Sequence, residues 1–199
     1  AARSPQEVSR VLAEEYRRIT GRTVIVDLRG SVETAREHAE GVLRAVERNP
    51  EIEIVSVRTG PSFFEGANVY AEVDRGNIIF NEYWSTVERR QAYLEALAAD
   101  ARSGWRVGGG SPVAIAVHEA GHLLDFHDLT RELDELLDAA ARRMGVPRDR
   151  LVPTTISGYA EFDRAELVAE AYADVVMNGA RASDLSRDIV RLVESGGRG

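Results

Sequence analysis

The chain is organised around one stretch, Val117-His118-Glu119-Ala120-Gly121-His122-Leu123-Leu124-Asp125. It lies in an apolar run that follows Ser111-Pro112, and a serine followed by a proline is a typical helix start. We therefore predict one buried helix from Ser111 to about Phe126. Because His118 and His122 are four residues apart on this helix, both imidazoles lie on the same face and can reach one metal ion.

Glu119 lies about 100° around the same helix from His118. At that angle its carboxylate can touch a water bound to the metal rather than the metal itself. This is the H-E-x-x-H arrangement, in which zinc lowers the pKa of the water and the glutamate takes its proton. The alternative is two core histidines that each have a partner, beside a surface glutamate.

Composition excludes several other classes of site and partner. The formal charge of -8 argues against nucleic acid or an anionic membrane as the main partner. Cysteine is absent, so any metal must be held by histidine and carboxylate. Lysine is also absent, which indicates either a GC-rich genome or selection against lysine modification in a foreign cytosol, as in an injected toxin. We see no signal peptide and no transmembrane segment, so the compartment stays open: secreted, injected or part of a larger protein.

Helix and strand signals alternate through residues 1–84, and helical signals follow through residues 85–199. Alternating or β-branched runs predict strands at 23–28, which we expect to be buried, and at 52–57, 69–73 and 77–81. Caps and apolar stripes predict further helices at 4–19, 31–48, 85–102, 130–144, 163–178 and 183–193, whereas 151–161 looks irregular. These signals predict a single α+β domain over 1–199, with a mixed twisted sheet and helices in the first half, a helical second half, and the helix at 111–126 between them.

Catalytic zinc usually takes three protein ligands, so a third must come from downstream. His127 is nine residues after His118 and would face the opposite side of a continuing helix. Glu166 and Glu170 are better candidates, because with Asp174 they recur at every fourth residue of one predicted helix. A divalent cation would relieve the repulsion along this acidic stripe, and a solvated helix face is the alternative.

The motif His118-Glu119-Ala120-Gly121-His122, followed by Tyr159 and by Glu166 seven residues later, resembles the catalytic domain of anthrax lethal factor and the related Pro-Pro endopeptidases. The resemblance implies a zincin-like fold of the gluzincin type, in which His118, His122 and Glu166 bind one Zn²⁺ and Glu119 is the general base. It also implies that Tyr159 donates a hydrogen bond to the oxyanion and that Glu170 orients a histidine through its free ring nitrogen.

A second register resembles thermolysin-like enzymes, in which an aspartate follows the glutamate ligand by four residues. Glu170 and Asp174 satisfy that spacing, but Tyr159 then stands eleven residues before the ligand instead of seven. The spacing of the tyrosine favours Glu166.

The sequence thus predicts a zinc metalloendopeptidase that acts on a protein or peptide substrate. The substrate can bind as an added strand if a strand near residues 69–81 forms a free edge of the sheet, and an ordinary hairpin with no substrate role is the alternative. The loops at 60–66 and 104–110 are the expected sources of specificity. The alternative function is a zinc-stabilised, non-catalytic binding or assembly module of a larger phage or toxin protein. The oligomeric state does not follow from the sequence.

Overall fold

The computed structural model describes residues 2–61, 69–107 and 109–196. Within these ranges the strands are β1 (Ile25–Asp27), β2 (Ser56–Gly60), β3 (Ala71–Asp74) and β4 (Asn77–Asn81). The α-helices are α1 (Pro5–Thr20), α2 (Val32–Arg48), α3 (Glu82–Ser85), α4 (Arg90–Arg102), α5 (Pro112–Gly121), α6 (Thr130–Met144), α7 (Arg148–Thr155), α8 (Arg164–Asn178) and α9 (Asp184–Glu194). One-turn 3-10 helices lie at His127–Leu129, Tyr159–Glu161 and Gly179–Arg181. The α+β class is confirmed, and helices make up most of the structure.

The four strands form one mixed sheet in the order β1-β2-β4-β3. β1, β2 and β4 are parallel, with Val57 opposite Ile78, and β3 pairs antiparallel with β4 through a tight hairpin. The hairpin turns at Arg75 and Gly76, both of which have positive φ. The strands on either side of α2 and the two strands within 69–81 lie where the sequence predicted strands, and β3 lies at one edge of the sheet.

Two strand predictions were wrong in detail. β1 is not buried, because it forms the other edge of the sheet and Ile25 is 71% exposed. β2 begins at Ser56 instead of residue 52, although Ile52 and Ile54 are buried. The Tyr16 hydroxyl accepts a hydrogen bond from Ile54 N at 3.1 Å and lies 3.4 Å from Ile52 O. At residues 52–54 a core side chain therefore contacts the backbone where the alternating pattern predicted the start of a strand.

The helix with the H-E-x-x-H motif is α5, and its start is as predicted. Ser111 Oγ accepts a hydrogen bond from Ala114 N at 3.2 Å, Pro112 is the first helical residue, and every residue of α5 is buried. The helix ends at Gly121, about five residues earlier than predicted. His122 N is shared between the carbonyls of His118 and Glu119, and the next two amides bond three residues back, which is the tightening typical of a helix end.

The remaining helices follow the predictions with three exceptions. The helix predicted from residue 85 begins at Arg90, and the short α3 precedes it. α6 has Leu129 as its N-cap, so Thr130 is its first helical residue and not its cap. Residues 151–161 looked irregular in the sequence because Pro153 is a helix-breaking signal. α7 nevertheless extends to Thr155, since Pro153 lies near the end of this helix of eight residues.

Two close helix contacts hold α5 in place. A β-carbon at Gly41 of α2 would lie 2.3 Å from Val113 O, so α2 approaches the start of α5 more closely than any larger residue allows. A β-carbon at Gly121 would lie 2.9 Å from Ala169 Cα of α8. α5 therefore lies buried against α2 and α8, which brings its histidines beside the acidic residues of α8. None of the helices in the described ranges has the length and apolar character that crossing a bilayer requires.

Candidate metal centre

Three side chains from α5, its C-cap and α8 meet at one point. His118 Nε2 lies 3.1 Å from His122 Nε2 and 3.1 Å from Glu166 Oε2, and His122 Nε2 lies 3.5 Å from the same Glu166 oxygen. Tetrahedral zinc with ligand bonds of about 2.0–2.1 Å holds its ligand atoms about 3.3–3.4 Å apart. His118, His122 and Glu166 therefore form a partly buried triad that could hold a metal ion.

The unpaired acceptor atoms of this triad also favour a bound cation. Glu166 Oε2 is buried and has no hydrogen-bond partner among the described residues. Three atoms that can each offer a lone pair converge there, and such an arrangement is unfavourable unless a proton or a metal ion lies between them. Burial lowers the pKa of His118, but the carboxylates of Glu166 and Glu170 outweigh it and raise that pKa to about 9. The point where the three side chains meet thus attracts positive charge.

Glu170 lies on the other side of the His118 ring. Its Oε1 atom is 2.9 Å from His118 Nδ1, although the angle at that nitrogen falls outside a strict hydrogen bond. Its Oε2 atom accepts hydrogen bonds from Ser157 Oγ at 2.7 Å and from Val107 N at 2.9 Å. A carboxylate in this place favours the tautomer in which Nε2 carries the lone pair, which is the form that binds a metal.

This geometry separates the two registers of the third ligand. Glu170 faces Nδ1 of His118, away from the point where the two Nε2 atoms meet, and Asp174 bonds Asn178 and Ser183 N near the end of α8. The register with Glu166 as the third ligand is the one that the side-chain positions favour. The acidic stripe is no solvated face, because Glu170 and Asp174 are buried. His127 lies in the 3-10 helix after α5, and its side chain lies outside the described part of the structure.

Glu119 lies one residue after His118 on α5 and lines the same cleft, although only 5% of the residue is exposed. Burial raises the pKa of Glu119 to about 7, against the opposing charges of His118 and Arg106. A carboxyl in this environment can exchange a proton near neutral pH.

Tyr159 comes from the 3-10 turn before α8, and its ring centroid lies 5.8 Å from that of His118. Burial together with the negative charge of the nearby Glu166 raises the pKa of Tyr159 to about 12. The phenol therefore stays protonated at neutral pH and is a hydrogen-bond donor at the edge of the triad. The backbone of Tyr159 is fixed by a 2.9 Å hydrogen bond from its N–H to Trp105 O.

Sequence reasoning missed two residues of this region. Arg106 places its guanidinium carbon 3.9 Å from the centre of the Tyr159 ring and lines the cleft. Ser157 is buried and donates to Glu170. Both belong to segments between helices, where no periodic pattern marks a functional residue. Their roles depend on contacts between distant parts of the chain.

The triad opens onto a cleft with a volume of about 1180 Å³. One wall contains residues 71–73 of the edge strand β3, and another contains Trp105 and Phe162, which are 42% and 70% exposed. The edge strand near 69–81 thus lies on the same cleft as the triad. Residues 62–66 of the predicted specificity loop at 60–66, and Gly108 of the one at 104–110, fall outside the described ranges.

No protein-family model, no curated protein and no solved structure matches this chain.

Proposed function

We propose that this protein is a zinc-dependent metalloendopeptidase. The observation that carries the proposal is the triangle of His118 Nε2, His122 Nε2 and Glu166 Oε2, with sides of 3.1–3.5 Å, next to a buried glutamate at the position that the H-E-x-x-H motif requires. Two imidazoles and one carboxylate are a typical ligand set of catalytic zinc, which keeps a fourth position open. We also propose a zincin-like fold and a relationship to the lethal factor and Pro-Pro endopeptidase group, on the motif and the spacing from Tyr159 to Glu166.

The chemistry divides between the metal and the side chains around it. Bound at the triad, zinc would act as a Lewis acid that polarises the scissile carbonyl and makes a water molecule more acidic. Glu119 takes the proton of the attacking water and passes it to the leaving amine. Tyr159 donates a hydrogen bond to the oxygen that becomes negative in the tetrahedral intermediate. Glu170 keeps the His118 ring in its orientation.

The substrate is a peptide in extended conformation. β3 is an edge strand and forms one wall of the cleft, and an extended peptide can add to such an edge through backbone hydrogen bonds. The cleft is large enough for several residues on both sides of the bond that is cut. The exposed rings of Trp105 and Phe162 give it apolar surface close to Tyr159.

The test is Glu119→Gln, with Glu161→Gln as a control at an exposed position in the same 3-10 helix as Tyr159. We expect the wild type to bind one zinc ion and to cleave members of a peptide library. We expect Glu119→Gln to bind zinc with unchanged stoichiometry but to lose turnover by at least about 10²-fold. Cleavage by Glu119→Gln at the wild-type rate would contradict the proposed role of Glu119.

The same protein samples distinguish the alternative function. A zinc-stabilised binding module would lose melting temperature when zinc is removed but would cleave no peptide in the presence of zinc. An enzyme shows both effects. Melting temperature and cleavage are therefore measured on the zinc-loaded and the chelated wild type.

A further inference from the structure

Arg106 lies in the wall of the cleft, and neither the ligand triad nor the general base accounts for it. Its side chain is 14% exposed, and its guanidinium carbon lies 3.9 Å from the centre of the Tyr159 ring and 5.7 Å from that of Tyr70. The guanidinium thus lies over the ring of Tyr159, whose own centre is 5.8 Å from that of the His118 ring. An arginine at such a distance from an aromatic face is attracted by the negative face of the ring.

Hydrogen bonds do not explain why this arginine is buried. Its Nε and Nη1 atoms have no hydrogen-bond partner within the described ranges, and Arg106 is the only described arginine with buried nitrogens in this state. The nearest carboxylate oxygen, Glu170 Oε1, lies 3.8 Å from Nη1, beyond hydrogen-bond distance. A buried guanidinium with unused donors destabilises a fold, so a purely structural role would be an unfavourable one.

Glu170 cannot turn toward Arg106 without losing its other contacts. One of its oxygens accepts from Ser157 Oγ and from Val107 N, and the other faces His118 Nδ1 at 2.9 Å. The backbone also fixes the position of Arg106, because the carbonyls of Gly104 and Trp105 accept hydrogen bonds from Gly158 N and Tyr159 N, each at 2.9 Å. The segment with Arg106 is therefore tied directly to the segment with Tyr159.

We propose that Arg106 is a positioning residue for Tyr159. Its guanidinium holds the phenol ring against the metal centre, and its fixed positive charge makes the phenol a stronger hydrogen-bond donor to a negatively charged oxygen. Nε and Nη1 are buried and the guanidinium lies against the Tyr159 ring, so the role that we assign to Arg106 is exerted through the tyrosine. This inference rests on the proposed function, because peptide hydrolysis is the reaction that would produce such a negatively charged oxygen. The role of Arg106 itself applies to any ligand that places an oxygen at the metal centre.

The test is a double-mutant cycle of Arg106→Gln and Tyr159→Phe on zinc-loaded protein, with acetohydroxamate as an oxygen-donor probe and calorimetry as the readout. We expect Arg106→Gln to weaken acetohydroxamate binding about tenfold when Tyr159 is present and less than about twofold when it is replaced by Phe. Arg106→Lys keeps the charge and should lie closer to the wild type than Arg106→Gln. Arg89→Gln is the matched control, since the exposed Arg89 lies 3.7 Å over the partly buried Tyr83 ring outside the cleft, and it should change nothing.

Each outcome decides the proposal. Effects of Arg106→Gln and Tyr159→Phe that simply add would overturn it, because Arg106 would then not act through the tyrosine. A loss of zinc affinity in Arg106→Gln as large as that in Glu170→Gln would also overturn it, because Arg106 would then act through Glu170. If Arg106→Gln does not fold, the cycle is run with Arg106→Met, which also removes the charge but keeps a long side chain, and full additivity there would overturn the proposal in the same way. Coupling without any peptide cleavage would remove the proposed reaction but support the role of Arg106, whereas a wild type that binds no zinc would overturn both.

Discussion

Replacing Gly121 by alanine should weaken zinc binding, because this glycine sets the distance between the two helices that bring the ligands together. A β-carbon at this position would lie 2.9 Å from Ala169 Cα and 3.3 Å from Tyr172 Cβ, both on α8. Carbon atoms in normal contact are about 3.5–4.0 Å apart, so α5 and α8 must separate by about 0.5 Å. His118 and His122 move together with the α5 segment, whereas Glu166 stays with α8. The distances that grow are those from the imidazoles to the carboxylate.

The expected size of the effect follows from the tolerance of metal sites. Distances between a metal ion and its ligand atoms vary by only about 0.2 Å among such sites. A shift of about 0.5 Å should therefore weaken zinc binding about 10- to 100-fold. Overpacking costs about 1–3 kcal/mol of stability. The higher helix propensity of alanine offsets at most about 1 kcal/mol of that cost, and less at the last residue of α5. The metal-free variant should therefore lose about 1–2 kcal/mol in its free energy of unfolding.

Gly41→Ala is the matched control. Its β-carbon would lie 2.3 Å from Val113 O and 2.6 Å from Ala116 Cβ, so it should destabilise the protein at least as much, but at the contact between α2 and α5. Zinc affinity is measured by competition with a chromophoric chelator at a temperature where all the proteins are folded, and stability by urea denaturation with chelator present. A Gly121→Ala variant with zinc affinity within about twofold of the wild type would refute this reasoning, as would an equal loss of zinc affinity in Gly41→Ala.

The following predictions test the surroundings of the centre and the core. Ser157→Ala removes the 2.7 Å hydrogen bond to Glu170 and should cost about 1–3 kcal/mol of stability in urea denaturation and weaken zinc binding in the chelator competition assay about tenfold. Asp163→Ala removes the N-cap that accepts from Glu166 N at 2.9 Å, and should cost about 1 kcal/mol; no loss in urea denaturation would contradict the capping role. Chelation of zinc present at about 1,000 times its Kd should remove about 4 kcal/mol, seen as a fall of about 8–16 °C in melting temperature. Burial, together with the positive charge of Arg90, lowers the pKa of His38 to about 3. Below pH 6.5 the unfolded chain therefore binds a proton at His38 that the folded protein does not bind, and the free energy of unfolding should fall as the pH drops. In urea titrations between pH 6.5 and pH 4.5 the wild type should lose about 1.4 kcal/mol per pH unit more than His38→Phe, and parallel pH profiles would contradict this.

Local signals in the sequence predicted the helices well where a cap coincided with an apolar stripe. Ser111 and Asp163 each accept the hydrogen bond expected of an N-cap, and these two caps fix where α5 and α8 begin. The face shared by His118 and His122 then follows from helix geometry alone. Glu166 required more, since only the spacing from Tyr159 favoured it over Glu170.

Features that depend on distant contacts were not predictable in this way. Ile52 and Ile54 alternate with polar residues as in a strand, and both are buried. The backbone there is not part of a strand, because it hydrogen-bonds the Tyr16 hydroxyl. Arg106 gave no local signal at all. Its placement depends on the Tyr159 ring face and on backbone hydrogen bonds to a segment more than fifty residues later in the chain.

The most direct test of the central claim is a crystal structure of the zinc-loaded protein with anomalous diffraction recorded on both sides of the zinc absorption edge. We expect one strong anomalous peak at about 2.0–2.2 Å from His118 Nε2, His122 Nε2 and an oxygen of Glu166, with Glu170 on the far side of the His118 ring. A peak bound by Glu170 instead of Glu166, or no peak between the two imidazoles, would contradict the proposed centre.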